Sequence, residues 1–330
     1  MLTKRQLRKK IKSAKSIAKI TRAMQMVAAS KMKRAQLQAQ ASRTYVEGIG
    51  EFCSLLWSQA DPSLHPLLIH KPDSIKDEIV ILVAPDKGLC GSLVTNLARF
   101  FVQMFPATTT IQFVTIGKKA KIIANRTEGT ILADFVLGLS QPKYEIVPPI
   151  ARLVAEKFLS PQIARVTAVY SGFISTMVQK PVFKPLLPLN LFRASEYLAF
   201  PKTGMNEARI AAFPPKAEPF SKEKPRPSMG GEASFTSQPQ EKTKFSPYLF
   251  EPTTEAITHT LLQMYLEVEI YQFLLESYAS EQSARMVAMK NATDNAQSLV
   301  SQLTLGYNNA RQAGITAELI DIGTAMTAIQ

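Results

Sequence analysis

Ile257-Thr-His-Thr-Leu-Leu-Gln-Met-Tyr-Leu-Glu-Val-Glu-Ile-Tyr-Gln-Phe-Leu-Leu-Glu-Ser-Tyr278 sets the architecture of the chain. Ile257, Leu261, Met264, Val268, Tyr271, Leu275 and Tyr278 recur at intervals of 4, 3, 4, 3, 4 and 3. The frame continues through Met289, Ala292, Ala296, Leu299, Leu303, Gly306, Ala310 and Ala313, with polar Gln282 and Arg285 at two seam positions. A heptad sustained over that distance predicts a long helix with a left-handed coiled-coil seam, because only every third or fourth residue of a helix shares a face. Beyond Arg285 the seam narrows to small residues, which permits close approach of a second helix. From Thr253 to Thr327 such a helix would be roughly 110 Å long at 1.5 Å per residue.

Proline extends this reading to the whole chain. All 21 prolines lie between Pro62 and Pro252. A proline inside a helix costs about 3 kcal/mol, so both ends are free to be long helices and the middle is not. The N-terminal stretch has a weaker seam, Ile17, Ile20, Met24 and Val27, continued by Met32, Ala35, Leu37, Phe52, Leu55 and Leu56. It predicts a helix from Thr3 to Trp57. Two helices at opposite chain ends, each with one apolar stripe, bury those stripes most economically on each other. A compact middle makes the pair antiparallel.

The middle reads as α/β. Strands are expected at Glu78–Ala84, Thr110–Ile116, Ala164–Tyr170 and Val178–Leu187, with helices at Gly91–Phe105, Lys118–Asn125 and Ile146–Leu159. The alternation predicts a mostly parallel sheet covered by helices. Arg193 to Pro247 differs in kind: eight prolines, three glycines and few aliphatics mark an irregular insertion. The expected division is therefore an N-terminal coiled-coil helix (1–60), an α/β domain (61–192), the insertion (193–247) and a C-terminal coiled-coil helix (248–330).

Charge is concentrated at one end. The first acidic residue is Glu47, and 13 Lys and Arg precede it, equal to the net charge of +13 for the whole chain. A field concentrated in this way implies an acidic partner for that segment. Nucleic acid fits the sign. Against it, no aromatic residue precedes Tyr45 and the segment belongs to a coiled coil.

Catalytic signals are weak. Gly117-Lys118-Lys119 has Gln112 where a phosphate-binding loop needs glycine and lacks the following Ser or Thr. Asp86-Lys-Gly-Leu-Cys-Gly-Ser92 follows a strand and opens a helix, but its spacing fits neither a dinucleotide fingerprint nor a phosphate loop. A tight strand-to-helix turn accounts for it. A helix N-terminus would lower the pKa of Cys90, although a buried structural thiol is the better reading. His65, His70 and His259 have no metal-ligand spacing. No cofactor, metal or catalytic residue is expected. No stretch approaches the roughly 18 to 20 apolar residues of a membrane span, and two cysteines build no disulfide framework.

Ile20-Thr-Arg-Ala-Met-Gln-Met-Val-Ala-Ala-Ser-Lys-Met32 resembles the N-terminal helix signature of the γ subunits of F-type ATP synthases. Asp86 to Gly91 is similar to that family's first strand-to-helix turn. Ser280 to Asn295 and Tyr307 to Thr316 resemble its C-terminal signature. The resemblance implies an antiparallel coiled coil on a Rossmann-like central domain: a non-catalytic rotor shaft turning inside a hexamer of α and β subunits. The shaft's foot would stand on the membrane ring of c subunits and grip the ε subunit. No nucleic acid is implied. The place would be peripheral, on the cytoplasmic face of a bacterial plasma membrane.

Arg8, Lys9, Arg22, Lys31 and Lys33 would then face an acidic loop of subunit β, with Met24 beside it. Arg285, Gln312 and Thr316 match family residues near a second β region, and Tyr248 and Glu251 match foot residues near the c ring. The family's usual ending gives way here to Leu319-Ile-Asp-Ile-Gly-Thr-Ala325. The insertion lies where photosynthetic members carry a regulatory one. It lacks the cysteine pair of the chloroplast version, which excludes thiol regulation through it, and a brake on rotation is the expectation for it.

Overall fold

The computed structural model describes residues 3–57, 65–69, 71–72, 77–105, 111–127, 129–138, 141–189 and 254–327. The stretch 193–247 therefore lies outside the described residues.

Helix α1 (Lys4–Trp57) begins with a capping box. The Thr3 N–H donates to Gln6 Oε1 at 3.1 Å, and the Gln6 N–H donates to Thr3 Oγ1 at 3.4 Å. Two N–H groups with no helical partner are thereby satisfied. At the other end of the chain, helix α5 (Thr254–Thr327) runs 74 residues. Both helices match the lengths the proline map predicts.

Between them lies a five-stranded sheet: β1 (Asp77–Val83), β2 (Ile111–Ile116), β3 (Thr130–Phe135), β4 (Ile163–Phe173) and β5 (Gln179–Leu187). The strand order is β3-β2-β1-β4-β5. Strands β1 to β4 are parallel, and β5 pairs antiparallel with β4. Strand β3 was not among the sequence expectations. Helices α2 (Leu93–Met104), α3 (Lys118–Arg126) and α4 (Val147–Leu159) connect the strands.

The apolar run of β1 is continuous because both faces of the sheet are covered. Ile79, Ile81 and Val83 face α4 and α5, in one core with Val114, Ile116, Val154 and Phe158. Val80, Leu82 and Ala84 alternate to the other side and meet Leu97, Phe101 and Ile123 of α2 and α3. Helix α5 contributes Leu262, Leu266, Ile270, Phe273 and Leu274 to the first core, and Val46 and Ile49 of α1 join it. The long helix thus has two parts: a root buried in the domain and a free length packed on α1.

The pair is antiparallel. Thr21 Oγ1 lies 2.7 Å from Thr293 Oγ1. Gln272 Nε2 donates to Ala39 O at 3.4 Å. Nearer the tip, a Cβ on Gly314 would come within 2.2 Å of Lys4 Nζ, so the two helices touch there as well.

The seam on α1 is not the one expected from residue size. Ile17, Ile20 and Val27 are exposed, and Met24 is half-buried. Of the expected seam Ala35 is buried, but it continues a different set, Leu7, Ala14, Thr21 and Ala28, spaced by seven. Small side chains let the backbones approach, and a larger residue at these positions would hold them apart. On α5, Met289 and Ala296 are buried as expected, whereas Met264, Leu299 and Ala313 are exposed. Gln282 is buried at its polar seam position.

Candidate functional surface of the helix pair

Four of the singled-out cations, Arg8, Lys9, Arg22 and Lys33, stand exposed along α1. Gln312 and Thr316 are exposed on α5 near the same end as Arg8, and the Thr316 hydroxyl donates back to Gln312 O at 3.0 Å. The free part of the pair therefore presents cations together with the exposed apolar residues Ile17, Ile20 and Val27. Lys31 and Met24 are half-buried lower down. Tyr248 and Glu251 lie outside the described residues.

Arg285 is placed differently. Its side chain is only 12% exposed, bonded to Glu281 Oε1 at 2.6 Å. Nη2 also donates to Gly88 O at 3.3 Å. Gly88 belongs to the 86–92 turn, so Arg285 joins α5 to the α/β domain. Burial raises the pKa of the Glu281 carboxyl, and Arg285 and Lys31 work against that rise. In the same turn, Cys90 packs with Leu93 and Ala284. Burial pushes its thiol up, not down, the opposite of an activated helix-terminal cysteine.

Asp86 explains the rest of that turn. Oδ1 accepts from the Lys118 N–H at 2.8 Å, at the start of α3. Oδ2 accepts from the Gly138 N–H at 2.7 Å. The carboxyl ends of parallel strands, with their helix N-termini, are where doubly wound folds hold phosphate. Here a carboxylate of the chain itself occupies the α3 terminus. Gly117 makes the approach possible. Its φ is +94°, and a Cβ there would lie 2.0 Å from Ala84 O.

The root of α5 carries polar contacts that periodicity could not reveal. Glu269 is ion-paired with Lys184 of β5 and accepts from the Tyr265 hydroxyl at 3.0 Å. Glu276 accepts from Arg43 of α1 at 3.1 Å and from the Tyr170 hydroxyl of β4 at 3.3 Å. Burial, then the Glu276 charge, holds the Tyr170 phenol protonated. A cavity of about 560 Å³ lies between α4, α5 and the 65–67 turn, with His65 and His259 in its wall and their rings 5.5 Å apart. Burial, then His259, lowers the pKa of His65. Among the described residues no group of three or more His, Cys, Asp and Glu could hold a metal ion. No described helix is long and apolar enough to cross a membrane.

The described residues thus form a cationic antiparallel helix pair rooted by ion pairs in an α/β base. The family model described as ATP synthase matches residues 3–329. The chain belongs to the ATP synthase gamma chain family. A gamma chain of Methylacidiphilum infernorum is 37% identical over 100% of both chains. One of Akkermansia muciniphila is 36% identical over 99% of each. Among solved structures, the Euglena gracilis mitochondrial ATP synthase in rotational state 3 contains a chain of the same fold. It is 17% identical with a TM-score of 0.60, covering 99% of this chain and 94% of that one.

Proposed function

We propose that this chain is the rotor shaft of an F-type ATP synthase. Ion flow turns the c ring, the ring turns the foot, and the asymmetric helix pair drives the β subunits through different nucleotide affinities. The chain itself is non-catalytic. The observation that carries the reading is the helix pair: two unbroken helices, stiffened by a close seam, with exposed cations on the length that leaves the domain.

Within this reading the N-terminal helix (1–60) and the C-terminal helix (248–330) form the shaft, 61–192 the foot, and 193–247 an insertion at its periphery. Arg8, Lys9, Arg22, Met24, Lys31 and Lys33 serve the β subunits, as do Gln312, Thr316 and Arg285. For Arg285 that contact would compete with its bond to Glu281. Tyr248 and Glu251 serve the c ring, ε grips the foot, and the complex sits on the cytoplasmic face of a bacterial inner membrane.

Co-expression with the cognate α and β subunits, followed by native mass and ATPase assay, tests the proposal. One copy of the chain per hexamer with sustained turnover is expected. A chain that stays outside hexamers, with ε also supplied, would refute it.

A further inference from the structure

A shaft driven at its foot passes torque through the root of α5, beside which Val46 and Ile49 of α1 enter the same core. Apolar packing there resists separation but is non-directional. In an apolar groove only shape complementarity opposes rolling or sliding. Hydrogen-bonded ion pairs behave differently, because slipping them leaves a buried charge without its partner, which is strongly destabilising.

The root of α5 carries two paired carboxylates on one face: Glu269 in a buried pair, and Glu276, itself 12% exposed, with an Arg43 partner that is 41% exposed. Glu269 and Glu276 are seven residues apart, close to two full turns, so they point the same way. Each is held by a different element. Glu269 is bound by Lys184 from β5, with side chains 6% and 16% exposed. Glu276 is bound at once by Arg43 from α1 and by Tyr170 from β4. Gln272, one turn away, donates to Glu276 at 3.0 Å and to Ala39 O of α1 at 3.4 Å. Glu281 and Arg285 add a third contact on another side of the helix, to Gly88 in the 86–92 turn.

We propose that Glu269 and Glu276 are positioning residues of torque transfer, keying α5 against rotation about its own axis so that the foot and the helix pair turn as one body. Glu276 ties the sheet, α5 and α1 at a single carboxylate. The inference rests on the rotary reading above and adds the residues that hold the shaft to its foot.

The test uses the complete complex in inverted membrane vesicles, comparing ATP hydrolysis without a gradient against the largest ion gradient that ATP supports. Wild-type vesicles that hydrolyse ATP but build no gradient would refute the rotary reading itself. The informative variant is K184M/E269M/Y265F, which removes the directional contact and leaves apolar volume. A neutral, well-packed replacement of a buried ion pair keeps stability, so the chain should melt no lower than wild type. Unloaded hydrolysis should stay within about two-fold, while the gradient falls about three-fold or more because the root slips under load. The swap K184E/E269K should restore most of it. A neutral variant that assembles, keeps its stability and supports the full gradient would overturn the proposal. If that variant does not fold, R43M/E276M/Y170F, which likewise removes the buried hydroxyl that bonds the carboxylate, is read the same way and decides the question.

Discussion

Ala28 and Ala35 are all but fully buried, while Ile17, Ile20 and Val27 on the same helix each leave half or more of their surface exposed. Reading α1 by size therefore selects a mostly exposed stripe that shares only Ala35 with the seven-residue set of the seam. The heptad Leu7, Ala14, Thr21, Ala28, Ala35 is visible in the sequence, but alanine is a weak marker of burial and a set containing threonine looks like none. The reason lies in the partner. Thr21 meets Thr293 at hydrogen-bond distance, which demands a close approach of backbones. Ala28→Leu should destabilise the isolated chain by about 1–3 kcal/mol, since extra methylenes in a close-packed seam force displaced side chains. Ile20→Ser should stay within about 0.5 kcal/mol, as exposed substitutions do. Urea unfolding of both variants checks this. An Ile20→Ser loss as large as that of Ala28→Leu would mean that Ile20 is buried by a contact within the chain.

At the scale of elements, the two long helices and the α/β alternation were legible, because proline exclusion and the 4,3 spacing act over tens of residues. Strand β3 was not. Thr130-Ile-Leu-Ala-Asp-Phe135 is short, sits at the sheet edge and is half-buried at most positions, so neither alternation nor a continuous apolar run announces it. Its pairing with β2 makes it a strand. The register of the helix pair was equally hidden, since each helix shows its stripe but not its partner's offset. The Thr21–Thr293 contact fixes that register and gives it a test. T21C/T293C should form a disulfide under mild oxidation, because the two Oγ1 atoms it replaces already lie 2.7 Å apart. Thiol titration and non-reducing electrophoresis would follow the bond. Cross-linked chain assembled with α and β subunits should keep most of its ATPase turnover, because the two helices rotate together. Loss of turnover that reductant restores would show that they shift against each other during the cycle.

For the whole molecule, charge was the most legible property and burial of charge the least. The cationic end could be counted from the sequence, and the fold leaves Arg5, Arg8, Lys9, Lys10, Lys12, Lys15, Lys19 and Arg22 exposed along α1. Which carboxylates pair inside could not be read, because Lys184 with Glu269 and Arg43 with Glu276 are joined only by the fold. Nor could the internal bond of Arg285 to Glu281 be read from the sequence, where the residue shows only as a polar seam position. The exposed cations make a quantitative demand. Fields from surface charges reach about 8 Å at physiological salt, and complementary charge acts on the rate of encounter more than on the bound state. Replacing Arg8, Lys9, Lys12 and Lys15 together by Gln should leave the melting temperature of the free chain nearly unchanged. Its association rate with α–β hexamers at low salt should fall about ten-fold. The deficit should shrink as salt rises, because screening removes from the wild type what the variant already lacks. Stopped-flow association at several ionic strengths measures both trends. Parallel salt dependences for variant and wild type would mean that these four cations do not steer assembly, and that the acidic partner meets α1 nearer Arg22 and Lys33.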